Sequence, residues 1–144
     1  MKRLFDIIFC VFLSIIISPL LILIALLIRC SSGGGILHWS RRVGRNNNIF
    51  LMPKFRTMIE NSPDVATHLL SNPEKYITVI GRYLRKTSLD ELPQIISIIK
   101  GDMSLVGPRP ALFNQDDLIQ LRTKNNISSL LPGLTGLAQI KGRD

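Results

Sequence analysis

Between Asp6 and Glu60 the sequence contains no acidic residue, and over all 144 residues it has only two cysteines, two histidines and one tryptophan. Each scarcity closes off a class of chemistry. Cys10 and Cys30 lie in and just after an apolar run, where they act as small apolar residues; they form neither a disulfide framework nor a metal-spaced cluster. His38 and His68 are isolated and belong to no zinc pattern. Internal repeats, low-complexity tracts and heptads are missing as well, so solenoid and coiled-coil architectures drop out.

What the chain has in excess is positive charge. Its 18 Lys and Arg outnumber 10 Asp and Glu, giving a formal net charge of +8 and a pI near 10.1. That balance asks for an anionic partner: nucleic acid, a membrane surface or a phosphorylated substrate. Nucleic acid fits poorly, because the basic residues are not interleaved with aromatics and many of them flank a membrane segment.

That segment is "LFDIIFCVFLSIIISPLLILIALLI", Leu4 to Ile28, interrupted by Asp6, Ser14, Ser18 and Pro19. As a helix it would extend roughly 37 Å at about 1.5 Å per residue, enough for a hydrocarbon core of about 30 Å. It is too long for a secretory signal, and no small-residue cleavage site follows. Lys2 and Arg3 precede it, and Arg29, Arg41, Arg42, Arg45, Lys54 and Arg56 follow it. Basic flanks on both sides argue that the chain enters the bilayer and returns to the same face. Pro19 removes a backbone donor near the middle, and the Ser18 hydroxyl is suited to a carbonyl freed there. On these residues a re-entrant hairpin and a spanning helix with a tolerated proline both remain open.

The remainder is sized for one small domain, so the expected fold is α+β. It comprises an N-terminal membrane segment over residues 1–30 and a small helical domain with a short β-hairpin or sheet over residues 31–144. "ILHWS" and "IFLMPKFRTM" read as two short strands around the turn-forming "RRVGRNNN", with Pro53 at an edge. "NSPDVATHLL" predicts a short helix capped by Ser62 and stopped at "SNPEK". "YITVIGRYLRK" fits a strand that turns helical after Gly81, and its pattern does not decide between the two. Leu92, Ile95, Ile96 and Ile99 predict a core-facing helix closed by Gly101, and "ALFNQDDLIQLRTK" another amphipathic one. "LPGLTGLAQIKGRD" predicts a turn into a strand that runs to the last residue.

Inside this domain "SLDELP" sets Asp90 and Glu91 side by side, among Arg82, Arg85, Lys86 and Arg109. One explanation needs no chemistry: Ser88 and Glu91 match a capping box, with Asp90 favoured by the helix dipole. The other is phosphoryl transfer. A carboxylate can attack phosphorus to form an acyl phosphate if nearby cations offset the repulsion, while its neighbour holds Mg²⁺, a hard ion that binds oxygen. Arg109, stiffened between two prolines, has a guanidinium suited to phosphate.

"KRLFDII", "SPLLILIALLI", "RVG", "KFRTM", "LRKTSLDELPQ", "KGDMSLVGPRP" and "PGLTGLAQIKGRD", in this order, resemble the bacterial sugar transferase family, the monotopic phosphoglycosyl transferases that begin surface glycan assembly. The resemblance runs from Lys2 to Asp144. It implies an enzyme at the cytoplasmic face of the bacterial inner membrane that moves a sugar 1-phosphate from a UDP-sugar onto undecaprenyl phosphate, releasing UMP. It also implies Asp90 as nucleophile and Glu91 as the Mg²⁺ ligand, with Asp90 beside it at the metal. Arg109 would be a phosphate contact, Arg85 a positioning residue, and Lys54 and Arg56 further phosphate contacts. Ser18 and Pro19 would be the membrane helix break that makes residues 1–30 a re-entrant membrane helix hairpin, with residues 31–144 as the cytoplasmic catalytic domain. The family continues past its "GR" motif into helical sequence, so residues 31–144 are expected to be C-terminally incomplete. A competing reading is an inactive membrane-anchored protein that keeps the fold and binds lipid phosphate or a partner enzyme. Membrane lipids are partners on either reading, and a homo-oligomer is compatible with both.

Overall fold

Two short sheets and one long apolar helix organise the chain. The structure, a computed structural model, describes residues 1–32, 34–60, 62 and 72–141. Its first element, α1 (Lys2–Ser32), is helical throughout, with Pro19 inside it. Proline deletes one backbone donor, and the hydrogen-bond ladder on either side carries the helix past it. Most of its apolar side chains, including Leu4, Phe5, Phe12, Ile15, Ile22 and Leu26, are exposed. Among the described residues this is the one helix long and apolar enough to cross a membrane.

β1 (Leu37–Val43) and β2 (Ile49–Phe55) pair as the expected hairpin. The connection is tight because Asn46 and Asn47 take left-handed backbone angles, φ 54° and 61°, which asparagine tolerates better than most residues. Ile77 then bridges Met58, and α2 (Val79–Thr87) follows, capped by the Thr78 hydroxyl, which accepts from the Gly81 N–H at 2.9 Å. The undecided stretch thus divides at Thr78, one bridge residue before it and a helix after it. The helix expected over "NSPDVATHLL" lies, apart from Ser62, outside the described residues.

A 3₁₀ stretch, Leu89–Gln94, leads into α3 (Ile95–Lys100), which ends on the left-handed Gly101. Of the four residues expected to face the core, Leu92 packs against the Ile24–Ile28–Phe55–Leu84 cluster and Ile95 is buried, as is Ile98, whereas Ile96 and Ile99 are 40% and 39% exposed. The 3₁₀ turn before the helix resets the phase, so the spacing that starts at Leu92 does not carry through to Ile99.

β3 (Ser104–Val106), α4 (Asp116–Lys124), β4 (Gly133–Thr135) and α5 (Leu137–Lys141) complete the chain. β3 and β4 are parallel, pairing Ser104 with Gly133 and Val106 with Thr135. The strand expected to run to the last residue stops at Thr135, and Leu137–Lys141 is helical.

The chain divides into two compact units, one of Met1–Ile15, Trp39–Pro53 and Gln94–Asp144, the other of Ile16–His38 and Lys54–Pro93. In the first, α1 turns Asp6 and Cys10 inward, one helical turn apart, and both are buried. In the second, Ile24 and Ile28 of α1 form a buried cluster with Phe55 and Leu84, flanked by Leu21, Ala25, Leu37, Ile80, Leu89 and Leu92. Burying such a side chain stabilises by about 1.5–3 kcal/mol, so this cluster is what fixes α1, the end of β2 and α2 to one another.

Candidate functional site

The acidic pair sits between two anchors of the second unit's core. Leu89 and Leu92 pack against the Ile24–Ile28–Phe55–Leu84 cluster, and Asp90 and Glu91 occupy the two positions between them. The 3₁₀ geometry matters here. With about three residues per turn, Leu89 and Leu92 fall on one side, and the intervening carboxylates are left half-buried at the edge of the core.

The capping-box explanation does not describe this turn. Ser88 ends α2 in a left-handed conformation, φ 59° and ψ 16°, where an N-cap would be extended. Its N–H donates to the Arg85 carbonyl, and the Glu91 carboxylate reaches Lys54, Nζ to Oε1 at 3.1 Å. Both partners of that ion pair are largely buried, with side chains 18% and 21% exposed.

Asp90 feels all of these groups. Burial raises its pKa above the ordinary carboxylate value and the neighbouring Glu91 charge adds to the rise, while Lys54 and Arg85 pull it down. Arg85 is held by its Nε, which donates to the Thr57 hydroxyl at 2.8 Å; burial lowers its pKa and the Asp90 charge opposes that. The second unit therefore brings together two carboxylates, an ammonium and a guanidinium: Asp90, Glu91, Lys54 and Arg85.

Thr57 and Gly81 make that arrangement possible, and neither was singled out as functional from sequence. The Thr57 carbonyl accepts from the Thr78 N–H at 3.0 Å, so the start of α2 lies directly on it. A Cβ added at Gly81 would come within 2.0 Å of that same carbonyl oxygen. Only glycine admits such an approach, and it sets α2 at the depth where Arg85 meets Thr57. The available signal was a glycine inside a helical pattern, which marks close backbone contact.

The other basic residues are placed differently. Arg56 lies just past β2, its N–H bonded to the Ile36 carbonyl at 2.9 Å and its guanidinium beside Gly34 and Gly35. It serves the exit from α1. Arg82 pairs with Glu74 at 2.7 Å on the exposed surface. Arg109 belongs to the first unit and is exposed, but its backbone is gripped on both sides. The Pro108 carbonyl accepts from the Gly133 N–H at 2.9 Å, and the buried Pro110 offers its carbonyl to Arg42 Nη1 at 3.3 Å. These two bonds add to the stiffness that the flanking prolines give the backbone at Arg109.

The donor set decides what metal the pair suits. Among the described residues no cluster of three or more His, Cys, Asp or Glu occurs, so a closed protein cage of the structural-zinc type is not present. Two adjacent carboxylates, of which Glu91 raises the proton affinity of Asp90, fit a hard divalent ion that takes its remaining ligands from water and phosphate.

Comparison with known proteins places the whole chain in one group. The model of the family described as bacterial sugar transferase matches residues 1–144. The chain is 42% identical over 158 residues to the exopolysaccharide production protein ExoY of Sinorhizobium fredii, covering 99% of this chain and 70% of that one. It is 41% identical to a UDP-glucose:undecaprenyl-phosphate glucose-1-phosphate transferase of Caulobacter vibrioides, with 98% of this chain and 54% of the relative aligned. An undecaprenyl-phosphate galactose phosphotransferase of Salmonella typhimurium is 39% identical, and the chain spans 33% of its length.

Proposed function

Because the chain belongs to the bacterial sugar transferase family, we propose that it transfers a sugar 1-phosphate from a UDP-sugar to undecaprenyl phosphate, with Asp90 as the attacking group. The relatives' names supply the reaction class. The observation that carries the residue assignment is the half-buried Asp90 carboxylate under the charges of both Lys54 and Arg85, with Glu91 adjacent.

In the first step an Asp90 oxygen attacks the sugar-bearing phosphorus of the donor. The bond from that phosphorus to the bridging oxygen breaks, and its electron pair leaves with UMP. In the second step an oxygen of undecaprenyl phosphate attacks the same phosphorus, the acyl phosphate bond breaks, and the Asp90 carboxylate is restored. No proton has to move in either displacement, but Asp90 must start ionised. Lys54 and Arg85 serve that need by lowering a pKa that burial and Glu91 raise. The same two cations reduce the repulsion between an anionic nucleophile and an anionic substrate.

Glu91, with Asp90 beside it, would hold Mg²⁺. Bound there, the ion supplies charge neutralisation on the diphosphate. Arg85 acts as a positioning residue through Thr57. Arg109, in the other unit, is a separate candidate for phosphate contact on the strength of its pinned backbone.

The proposed setting is the cytoplasmic face of the bacterial inner membrane, with residues 1–30 as a re-entrant anchor bent at Ser18 and Pro19 and residues 31–144 as the catalytic part. The support for this is the charge pattern: basic residues flank α1 at both ends, as expected of a segment whose two ends face the same side.

The test is a trapping experiment. Incubation with a UDP-sugar labelled in the β-phosphate is expected to leave label covalently on the wild-type chain and none on Asp90→Asn, with the label discharged by undecaprenyl phosphate. Undiminished labelling or turnover in Asp90→Asn would overturn the nucleophile. Donor binding without UMP release in the wild type would favour the inactive, lipid-phosphate-binding reading instead.

A further inference from the structure

Two aromatic side chains of the first unit stand half-exposed, each with a cation over its ring. The Lys100 ammonium lies 5.8 Å from the centroid of Trp39, which is 45% exposed, and the Arg41 guanidinium lies 4.7 Å from that of Phe113, which is 41% exposed. Trp39 and Arg41 are alternate residues of β1 and share one face of it. Neither Lys100 nor Arg41 forms a salt bridge among the described residues. The site chemistry above uses none of the four.

Their position relative to α1 gives them a meaning. Arg3, the last cation before the exposed apolar run, donates through Nη2 to the Ile99 carbonyl at 2.8 Å and through Nη1 to the Ile98 carbonyl. Lys100 is the next residue, and a Cβ on Gly101 would lie 3.2 Å from Arg3 Nη2. The Trp39–Lys100 pair therefore stands where α1 changes from polar to apolar, at the level of the lipid headgroups if α1 is in the bilayer. The face of α3 that carries Lys100 also carries Ile96, one helical turn back, and Ile99, both exposed. An apolar ring with a cation beside it is suited to that level, the ring lying among glycerol backbones and the charge among phosphates.

We propose that Trp39, Lys100, Arg41 and Phe113 form a seat for anionic phospholipid headgroups, which holds the first unit against the membrane surface beside the entry of α1. The proposal rests on the membrane reading of α1. Its partner follows from charge complementarity: two cations without acidic partners among the described residues, on a chain with net charge +8, face a surface whose phosphates are negative. Each basic side chain at an anionic surface strengthens partition about five-fold, so the two together contribute about thirty-fold.

Trp39 is the single tryptophan of the chain, so its fluorescence reports this face alone. The full chain is reconstituted in bilayers mixing phosphatidylcholine with phosphatidylglycerol, with bromine placed near the glycerol end of the acyl chains of one lipid or the other. Trp39 is expected to be quenched more by brominated phosphatidylglycerol, and Lys100→Gln with Arg41→Gln is expected to remove the difference. Equal quenching by the two lipids in the wild type, or a preference that survives the double substitution, would overturn the proposal. So would Trp39 emission untouched by either lipid. In that last case a second reporter, Phe12→Trp in a Trp39→Phe background, separates the causes: quenching of the Phe12→Trp reporter leaves α1 in the bilayer and rejects only the seat. A reporter that is not quenched rejects the membrane reading with it.

Discussion

The Ser104 hydroxyl donates a 2.7 Å hydrogen bond to Oδ2 of Asp6, and the two residues are 1% and 3% exposed. This bond ties the first turns of an apolar helix to the first residue of β3, the strand that leads into Gly107 and the Arg109 segment. A buried carboxylate needs its donor. Ser104→Ala is therefore expected to destabilise the chain by about 1.5–3 kcal/mol, the range for hydrogen bonds to charged groups. Asp6→Asn should cost less, since an amide oxygen still accepts, and a double-substitution cycle should show coupling between the two positions. Thermal unfolding in detergent is the measurement; an unchanged melting temperature for Ser104→Ala would show that the bond contributes nothing.

Asp90 carries a raised pKa, first from burial and then from Glu91, and the sign of its effect on stability follows. With a folded-state pKa above the unfolded one, the folded state binds more protons in the window between them. Stability therefore falls as pH rises from the unfolded value, about 3.9, through the folded one. Above that window the penalty is constant. Asp90→Asn is accordingly expected to melt at a higher temperature than wild type at neutral pH, with the gap closing on acidification towards about pH 4, while turnover drops by about 10³-fold or more. A variant that melts below wild type at neutral pH would mean that the ionised carboxylate stabilises the fold.

How much of this was legible from the residues depends on how locally each feature is encoded. The β1–β2 hairpin was legible because its turn needs left-handed backbone, and asparagines supply it at residues 46 and 47. The grouping of the carboxylate pair with Arg85 was legible because they are close in sequence; Arg82, equally close, pairs with Glu74 instead, and Lys54 is far away in the chain. The parallel β3–β4 pairing was not: each strand has three residues, and what joins them is a close approach of Gly107 and Gly133, far apart in the chain. The face of α3 was misread in part because "IISII" is apolar on both sides and its one polar residue, Ser97, is itself buried. The role of Thr57 was invisible, since a threonine at the end of a strand has no signature until α2 is laid on it.

Lys54 holds the Asp90 pKa down more strongly than Arg85 does, and each can be removed separately. Lys54→Gln is expected to move the acid limb of the activity profile to higher pH, because the nucleophile is then ionised only under more alkaline conditions. Arg85→Gln should move it in the same direction by less. The base limb carries no such expectation. Covalent labelling rate as a function of pH is the readout, and an acid limb that stays in place in Lys54→Gln would show that the ammonium does not act on Asp90.

Gly81 tests whether the depth of α2 sets the site. A Cβ there would come within 2.0 Å of the Thr57 carbonyl oxygen and 2.7 Å of its Cα, both backbone atoms that cannot swing aside. Gly81→Ala must push α2 away from Thr57, and overpacking of this kind typically costs about 1–3 kcal/mol. The same displacement pulls Arg85 from the Thr57 hydroxyl, now bonded at 2.8 Å. The substitution is thus expected to lower the melting temperature and, under conditions where the chain remains folded, to slow labelling of Asp90. Thr57→Val separates the two effects: it keeps the packing but leaves Arg85 Nε without its acceptor, so labelling should slow while the backbone of α2 stays where it is. If Thr57→Val labels at the wild-type rate, Arg85 does not reach the nucleophile through Thr57, and Gly81 is then required for packing alone.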